Sequence, residues 1–124
     1  MHLIRAAQAV PYQAPGHAGV DSRRLQGREA GGPDRASVSI STYPPGSAVE
    51  PLPTATDTIY VVLTGELELN GHLGDSALTL AEHDSVFLPR GEVRSLRNRA
   101  AENATLLVVL LAAVGGDDEQ PAHL

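Results

Sequence analysis

Arginine, histidine, tyrosine and the acidic residues are the side chains left in this sequence to perform acid–base or electrostatic chemistry. The chain of 124 residues has no cysteine, and all nine of its basic residues are arginine. Thiolate nucleophiles, cysteine-bound metals and lysine Schiff bases are therefore excluded. The histidines are far apart, and the closest pair, His72 and His83, is eleven positions apart. Their spacing indicates no metal site, and both are expected in solvated turns.

Composition and charge narrow the possible partners. Aromatic residues make up 3% of the chain and tryptophan is absent, which argues against aromatic cages and base-stacking surfaces. A net charge of −6 argues against nucleic acid. The longest apolar run, 106–114, is far shorter than the roughly 20 residues that cross a bilayer. We expect no membrane partner, and we expect a cytoplasmic protein because residues 1–5 lack the features of a signal peptide.

Short strands separated by turns are the elements that must position the chemical side chains. Residues 37–43 alternate polar and apolar side chains, which is typical of a half-buried strand. Further strands are predicted at 59–63, 66–69, 77–80, 86–88, 93–96 and 105–111. The dipeptide Asn70-Gly71 favours a hairpin over residues 66–80. Seven or eight short strands without a helical stripe predict an all-β, antiparallel sandwich or small barrel.

The chain divides into three predicted parts. Residues 1–35 form an N-terminal arm, because their proline and glycine content is too high for a helix. This irregular arm includes one strand near residues 20–25, which would be an edge strand or one swapped with a partner. Residues 36–114 form the barrel, and residues 115–124 form a flexible acidic tail.

Two groups of residues have a regular spacing that matches a known pair of motifs. The first group is Gly46, Leu52, Thr54, Thr58 and Gly65, and the second is His83, Pro89, Gly91, Arg94 and Asn98. The glycines, the proline and the asparagine stand where the two signature motifs of the cupin family have them. The chain therefore resembles a small single-domain cupin, which implies one antiparallel jelly-roll β-barrel. The resemblance also implies a homodimer, since cupins commonly pair through their N-terminal strands.

The positions that the resemblance assigns to metal ligands hold the wrong residues for a metal. The family places three histidines and one glutamate where this chain has Leu52, Thr54, Thr58 and Arg94. Leucine has no donor atom, threonine hydroxyls are weak ligands, and a guanidinium is a permanent cation. We therefore expect no metal and no other cofactor, and the metal-dependent reactions of the family are not carried over.

The register implied by the resemblance also predicts the inside of the barrel, because residues two apart on a strand share a face. The predicted ligand-binding residues are Leu52, Thr54, Thr56, Thr58, Val62 and Leu96. With Tyr60 and Arg94, they give a mostly apolar lumen with a few polar groups, the usual composition of a small-molecule pocket.

Arg94 is the central candidate, and three interpretations of it are open. It forms a structural ion pair with Glu92, Glu50 or Asp57, or it binds a carboxylate or enolate through bidentate hydrogen bonds. In the third interpretation the register is different and Arg94 faces solvent.

Two further residues are candidates for moving a proton. Tyr60 is the aromatic hydroxyl that we place inside the barrel, where it would act as a hydrogen-bond donor or general acid, or only pack its ring. His17 lies on a glycine-flanked loop that reaches the barrel mouth as an acid–base group or stays solvated. Arg23 and Arg24 are predicted to be solvated or to contact a second subunit.

These residues lead to a function hypothesis and two alternatives. The hypothesis is a metal-independent isomerase, cyclase or lyase that acts on a small oxo acid or enolisable anion. Arg94 would stabilise the developing negative charge, and Tyr60 or His17 would transfer the proton. The alternatives are a non-catalytic barrel that binds or senses a small anionic or apolar organic molecule, and a structural dimer with a filled lumen.

Overall fold

Strands dominate the computed structural model, which describes residues 1–71 and 77–112. Its strands are β1 (Val10–Tyr12), β2 (His17–Ala18), β3 (Asp21–Gln26), β4 (Ala36–Tyr43), β5 (Ala48–Pro53), β6 (Asp57–Thr64), β7 (Leu67–Asn70), β8 (Leu78–Leu80), β9 (Ser85–Leu88), β10 (Val93–Arg97) and β11 (Ala104–Leu111). The described helical segments are two three-residue 3-10 turns, Ala6–Gln8 and Arg28–Ala30. No helix in this part of the chain has the length and apolar character of a membrane span.

The strands form two antiparallel sheets that face each other across the core. The six-stranded sheet has the order β1-β3-β4-β11-β6-β9, and the five-stranded sheet has the order β2-β5-β10-β7-β8. Every pairing is antiparallel, and neighbours in each sheet are mostly distant in sequence. The predicted all-β jelly-roll fold is confirmed.

The N-terminal arm is more regular than its composition suggested. The strand predicted near residues 20–25 is β3, and the arm adds β1 and β2 as well, so it contributes to both sheets of its own chain. The sequence analysis missed β1, β2 and β5. Prolines explain two of these misses: Pro11 lies on an edge strand, and Pro51 and Pro53 lie on the part of β5 that extends beyond its short partner β2. Proline is tolerated at sheet edges because its missing N–H is not needed there.

The predicted hairpin over residues 66–80 is present as the pair β7–β8. Leu69 pairs with Leu78, so the connection is longer than the two-residue turn that Asn70-Gly71 favours. His72 lies outside the described residues, as does the acidic tail at 115–124.

Several turns between strands contain a residue with positive φ. Gly65, with a φ of 77°, follows β6, and a Cβ there would lie 2.7 Å from the carbonyl oxygen of Asn103. Both the backbone angle and this close approach require glycine. His83 has a φ of 73° and is exposed before β9. The second cupin motif has glycine at this position, which fits the left-handed backbone.

The hydrophobic core is aliphatic apart from two tyrosines. It comprises Val20, Tyr43, Val49, Tyr60, Val62, Leu67, Leu69, Leu80, Leu88, Leu96, Ala104 and Leu106. These side chains come from both sheets, so the core holds the two sheets together.

Candidate active site

A cavity of about 320 Å³ lies between the two sheets, and residues 12–15 and His17 of the N-terminal arm line part of it. Strands β4, β6 and β11 of one sheet and β5 and β10 of the other contribute to its wall. Its volume is at the small end of the roughly 300–1,000 Å³ found for ligand pockets. The barrel is therefore not filled where this cavity lies, and the cavity suits a molecule of a few carbon atoms or a single sugar ring.

The structure brings most of the predicted site residues to this cavity. The predicted residues on its wall are His17, Leu52, Thr54, Thr56, Thr58, Tyr60 and Arg94. Val62 and Leu96 are buried as predicted but lie in the hydrophobic core rather than on the cavity wall. Each follows a cavity residue by two positions, Tyr60 and Arg94 respectively, so the wall ends between them. Val62 and Leu96 therefore do not line this cavity, and their contact with a ligand stays a prediction.

Arg94 connects the two sheets through a hydrogen bond to Tyr60. Its Nε donates to the Tyr60 hydroxyl at 2.8 Å, and one terminal nitrogen donates to the Leu52 carbonyl oxygen at 3.3 Å. Arg94 lies on β10 and is partly buried, whereas Tyr60 lies on β6 and is 4% exposed. Because the Tyr60 oxygen accepts from Arg94, the hydroxyl proton of Tyr60 remains free to be donated into the cavity.

Two of the three interpretations of Arg94 are wrong. None of the four ion pairs among residues 1–71 and 77–112 includes it, so Glu92, Glu50 and Asp57 are not its partners. Asp57 instead accepts a hydrogen bond at 2.8 Å from the backbone N–H of Arg90. Nor does Arg94 face bulk solvent, since it lies on the cavity wall. A partly buried guanidinium without a carboxylate is costly, and an anionic ligand would offset that cost.

Burial sets the protonation state of Tyr60. Burial raises the pKa of its hydroxyl, and the charge and hydrogen bond of Arg94 oppose this rise without cancelling it. Tyr60 is therefore neutral near pH 7, so it can donate a proton or hydrogen bond but does not serve as a base.

His17 is held at the cavity by the local backbone. It begins β2, which pairs with β5, and the preceding Gly16 has a φ of 75°. A Cβ on Gly16 would lie 2.6 Å from Leu52 Cδ1, so glycine allows the loop to pack closely against the cavity wall.

The electrostatics of His17 favour a neutral imidazole. Burial lowers its pKa, the hydrogen bond to the Pro15 carbonyl raises it in part, and the charge of Arg94 lowers it further. Nδ1 lies 3.0 Å from the Pro15 carbonyl oxygen, which can only accept, so Nδ1 carries the proton. In the neutral ring Nε2 then has a free lone pair, which is the arrangement of a general base.

The cupin metal positions come together on this wall, and their side chains do not fit a metal ion. Thr54 Oγ1 donates to the Pro89 carbonyl at 2.9 Å, and Thr58 Oγ1 donates to the Thr56 carbonyl at 2.9 Å. Leu52 and Arg94 complete the set without a ligand lone pair. Among the residues described, no three His, Cys, Asp or Glu side chains form a metal-binding group.

Sequence reasoning missed five polar residues on the wall: Tyr12, Gln13, Arg24, Ser41 and Tyr43. Arg24 was predicted to be solvated or to contact a second subunit, but its side chain is 13% exposed and lies on the cavity. Arg24 lies two positions after the buried Ser22 on β3, so the two side chains share the inner face, but the burial of Ser22 has no signal in the sequence. Arg23, by contrast, pairs with Asp21 on the surface, which agrees with its predicted solvated position.

Comparison with known proteins agrees with this architecture. The model of the cupin domain matches residues 39–110, which is more than half of the chain. The protein belongs to the cupin family.

One relative and two solved structures are especially similar. The chain is 47% identical over 110 residues to a Mycobacterium tuberculosis protein named beta-D-galactosidase Rv1717, and the match covers 89% of this chain and 93% of that protein. The structure of the polyketide cyclase RemF from Streptomyces resistomycificus superposes with a TM-score of 0.77 at 18% identity, over 95% of this chain and 89% of the other. A predicted oxalate decarboxylase from Thermotoga maritima gives a TM-score of 0.74 at 24% identity, over 90% and 98%. At these identities the two structures show a shared fold and not a shared activity.

Proposed function

We propose that this protein is a metal-independent acid–base enzyme, an isomerase, cyclase or lyase, that acts on a small oxo acid or other enolisable compound in the barrel cavity. One observation carries the proposal. Arg94 lies on the cavity wall with no carboxylate partner among the described residues, and it is hydrogen-bonded to the buried Tyr60 hydroxyl. This pair presents positive charge and a proton donor to one position in the cavity.

The pair suits a carbonyl oxygen that gains negative charge. Donors that are already oriented stabilise an enolate more than the neutral carbonyl, and they do so most strongly away from bulk water. Arg94 supplies the charge, and the neutral Tyr60 supplies the hydroxyl proton as a hydrogen bond. Neither group needs to change its protonation state in this step.

His17 supplies the base for the first step. Its Nε2 removes a proton from the carbon next to the carbonyl, and the C–H electron pair becomes the C=C bond of the enolate while the carbonyl π pair moves to oxygen. The proton then returns from His17 to the same or another carbon, which restores the base. Isomerisation, ring closure and elimination all begin with this step, so the later steps define the reaction class.

Exchange of carbon-bound hydrogen tests this proposal directly. Purified protein is incubated in D₂O with small oxo acids and neutral ketones, and loss of the α-proton signal is followed by NMR. We expect exchange that His17→Gln and Arg94→Leu reduce by about 100-fold, the usual loss for a removed general base or oxyanion donor. His83→Asn is the matched control, because His83 is exposed and outside the cavity wall.

The outcomes separate catalysis from binding. Exchange at the same rate in all three variants would refute the assigned roles. Tight binding of the same compounds without any exchange would refute the enzyme and support the alternative of a binding or sensing protein.

Hydrolysis of β-galactosides is a second candidate, because a relative with 47% identity is named a β-D-galactosidase. The cavity volume suits one sugar ring, and its threonine and tyrosine hydroxyls suit sugar hydroxyls. Glycosidases most often use two carboxyl groups on either side of the bond. No Asp or Glu lies on the cavity wall as far as the structure describes it, so hydrolysis here would proceed without that pair.

A chromogenic β-galactoside tests the second candidate. Turnover that His17→Gln and Arg94→Leu reduce, and that His83→Asn does not, would place the sugar in this cavity. Turnover that all three variants retain would place the reaction elsewhere in the molecule. Absence of turnover in the wild-type protein would eliminate the candidate.

A further inference from the structure

Arg24 is a second guanidinium on the wall of the same cavity, and it comes from the sheet opposite Arg94. It lies on β3 in the six-stranded sheet, whereas Arg94 lies on β10 in the five-stranded sheet. Its side chain is 13% exposed, and its guanidinium carbon lies 4.4 Å from the centre of the Tyr12 ring. The Tyr12 ring, which also lies on the cavity wall, therefore packs against this guanidinium.

The contacts of Arg24 leave its charge only partly compensated. One terminal nitrogen donates to Ser37 Oγ at 2.8 Å, and Nε lies 3.8 Å from a carboxylate oxygen of Glu29. Glu29 is 54% exposed, so water screens this long ion pair. A partly buried guanidinium in this setting retains donor groups for another anion.

The inner face of β4, the strand that pairs with the strand of Arg24, presents a row of buried serines. Ser37, Ser39 and Ser41 are all buried, and Ser41 lies on the cavity wall. Ser39 is paired with Arg24 across the sheet, and its Oγ is the one buried side-chain polar atom without a partner among the residues described. Ser39 does not line the cavity, so its hydroxyl would reach a bound anion only through a bridging water.

We infer that Arg24 is the carboxylate-binding residue of this site, so that the substrate is an oxo acid with its carboxylate at Arg24 and its enolisable carbonyl at the Arg94–Tyr60 pair. This inference rests on the proposed function. It assigns different tasks to the two arginines: one selects acids over neutral compounds, and the other stabilises the enolate. Neutral ketones and neutral sugars are therefore poor ligands.

Oxo acids and their methyl esters test the inference, because the ester keeps the carbonyl group and loses the charge. Binding of pyruvate, acetoacetate, levulinate and their methyl esters is measured by titration calorimetry. We expect the wild-type protein to bind its best acid about 10- to 100-fold more tightly than the matching ester, the range of a hydrogen bond to a charged group. Arg24→Gln should reduce this preference to within about twofold by the same reasoning.

Arg23→Gln is the matched control, since Arg23 is adjacent in sequence and lies on the surface with Asp21. It should retain the full preference for acids. Glu29→Gln removes the competing carboxylate and should tighten acid binding without changing ester binding. If Arg24→Gln does not fold, Arg24→Lys keeps the charge without the planar fork and should give an intermediate preference.

Each outcome decides the inference. An acid preference that survives Arg24→Gln, or that Arg23→Gln removes equally, would overturn it, and so would the failure of every oxo acid to bind at millimolar concentration. Acid binding that depends on Arg24 without deuterium exchange would support the carboxylate site and refute the proposed reaction. Exchange that is equally fast for acids and esters would support the reaction and refute the role of Arg24.

Discussion

The two ends of the barrel are built on the same strands and have opposite characters. On β6, Thr58 and Tyr60 lie on the cavity wall, and Val62 two positions further lies in the hydrophobic core. On β10, Arg94 lies on the cavity and Leu96 in the core. On each strand, a shift of two residues therefore leads from a side chain that lines the cavity to a side chain that packs between the sheets.

The two ends of the barrel are therefore expected to have different roles, one in stability and one in ligand binding. The core end packs leucine and valine from both sheets, and these residues should determine the free energy of unfolding. The cavity end holds two guanidinium groups, buried hydroxyls and an imidazole, which contribute little packing and are costly to bury unless a ligand satisfies them. Substitutions at the two ends should therefore affect different measurements, even where the residues are close neighbours.

Leu96→Ala should give the largest effect on stability. Leu96 is 2% exposed, and truncation of such a side chain leaves a cavity that costs about 2–5 kcal/mol of unfolding free energy. Urea denaturation followed by circular dichroism measures this loss. Binding of an oxo acid at a temperature where the variant is folded should be within about twofold of wild type, because Leu96 does not line the cavity. A large loss of binding with unchanged stability would contradict the division between the two ends.

Arg94→Leu should give the opposite result from its neighbour. Arg94 has no ion-pair partner among the described residues, so its removal leaves no buried carboxylate unpaired, and we expect the unfolding free energy to change by less than about 1 kcal/mol. Deuterium exchange at the substrate should fall by about 100-fold or more. Unfolding of the variant would instead show that Arg94 is structural and that the hydrogen bond to Tyr60 serves mainly to join the sheets.

Tyr60→Phe compares the two roles within a single residue, since the ring of Tyr60 lies in the core and its hydroxyl reaches the cavity. Phenylalanine keeps the ring and removes the hydroxyl, so stability should fall by about 1 kcal/mol for one lost hydrogen bond. Exchange should fall by about 10-fold because Arg94 remains to stabilise the enolate. Equal activity of Tyr60→Phe and wild type would show that the hydroxyl only positions Arg94.

Much of this architecture was predictable from the sequence, because turn positions and strand periods leave strong signals. Gly46, Gly65 and Pro89 occupy turn positions where the backbone favours glycine or proline. Their spacing identified the barrel and, through the motif, the positions that line the cavity. The cavity residues on β6 and β10 then followed from the period of two. The limits of the cavity did not follow, because alternation gives the face of a strand but not the depth of each residue in the barrel, as Val62 and Leu96 show.

The contribution of the arm and of β4 was harder to predict. Alternation on β4 predicted a half-buried strand without deciding which face is buried. Ser37, Ser39 and Ser41 are the buried residues, and Val38 and Ile40 are partly exposed on the outer face. A polar inner face is unfavourable for folding alone and is consistent with a barrel that keeps polar groups for a ligand. Pairing of the arm could not be deduced from spacing, so Arg24 and Tyr12 were missed. The homodimer expected from the resemblance stays a prediction.

The smallest expected effect is on the pH dependence of stability, and it separates His17 from the residues of the core end. Burial lowers the pKa of His17 in the folded protein, so as pH falls below its ordinary value of 6.5 the unfolded chain binds a proton that the folded chain resists. More protons on the unfolded chain mean that the unfolding free energy rises with pH in this window and falls as the solution is acidified. His17→Gln should remove this slope, which corresponds to less than one proton, while Leu96→Ala should lower stability equally at every pH. Denaturation midpoints between pH 5 and 7 measure it, and an unchanged slope in His17→Gln would show that His17 titrates as a solvated histidine and not as a residue of the cavity wall.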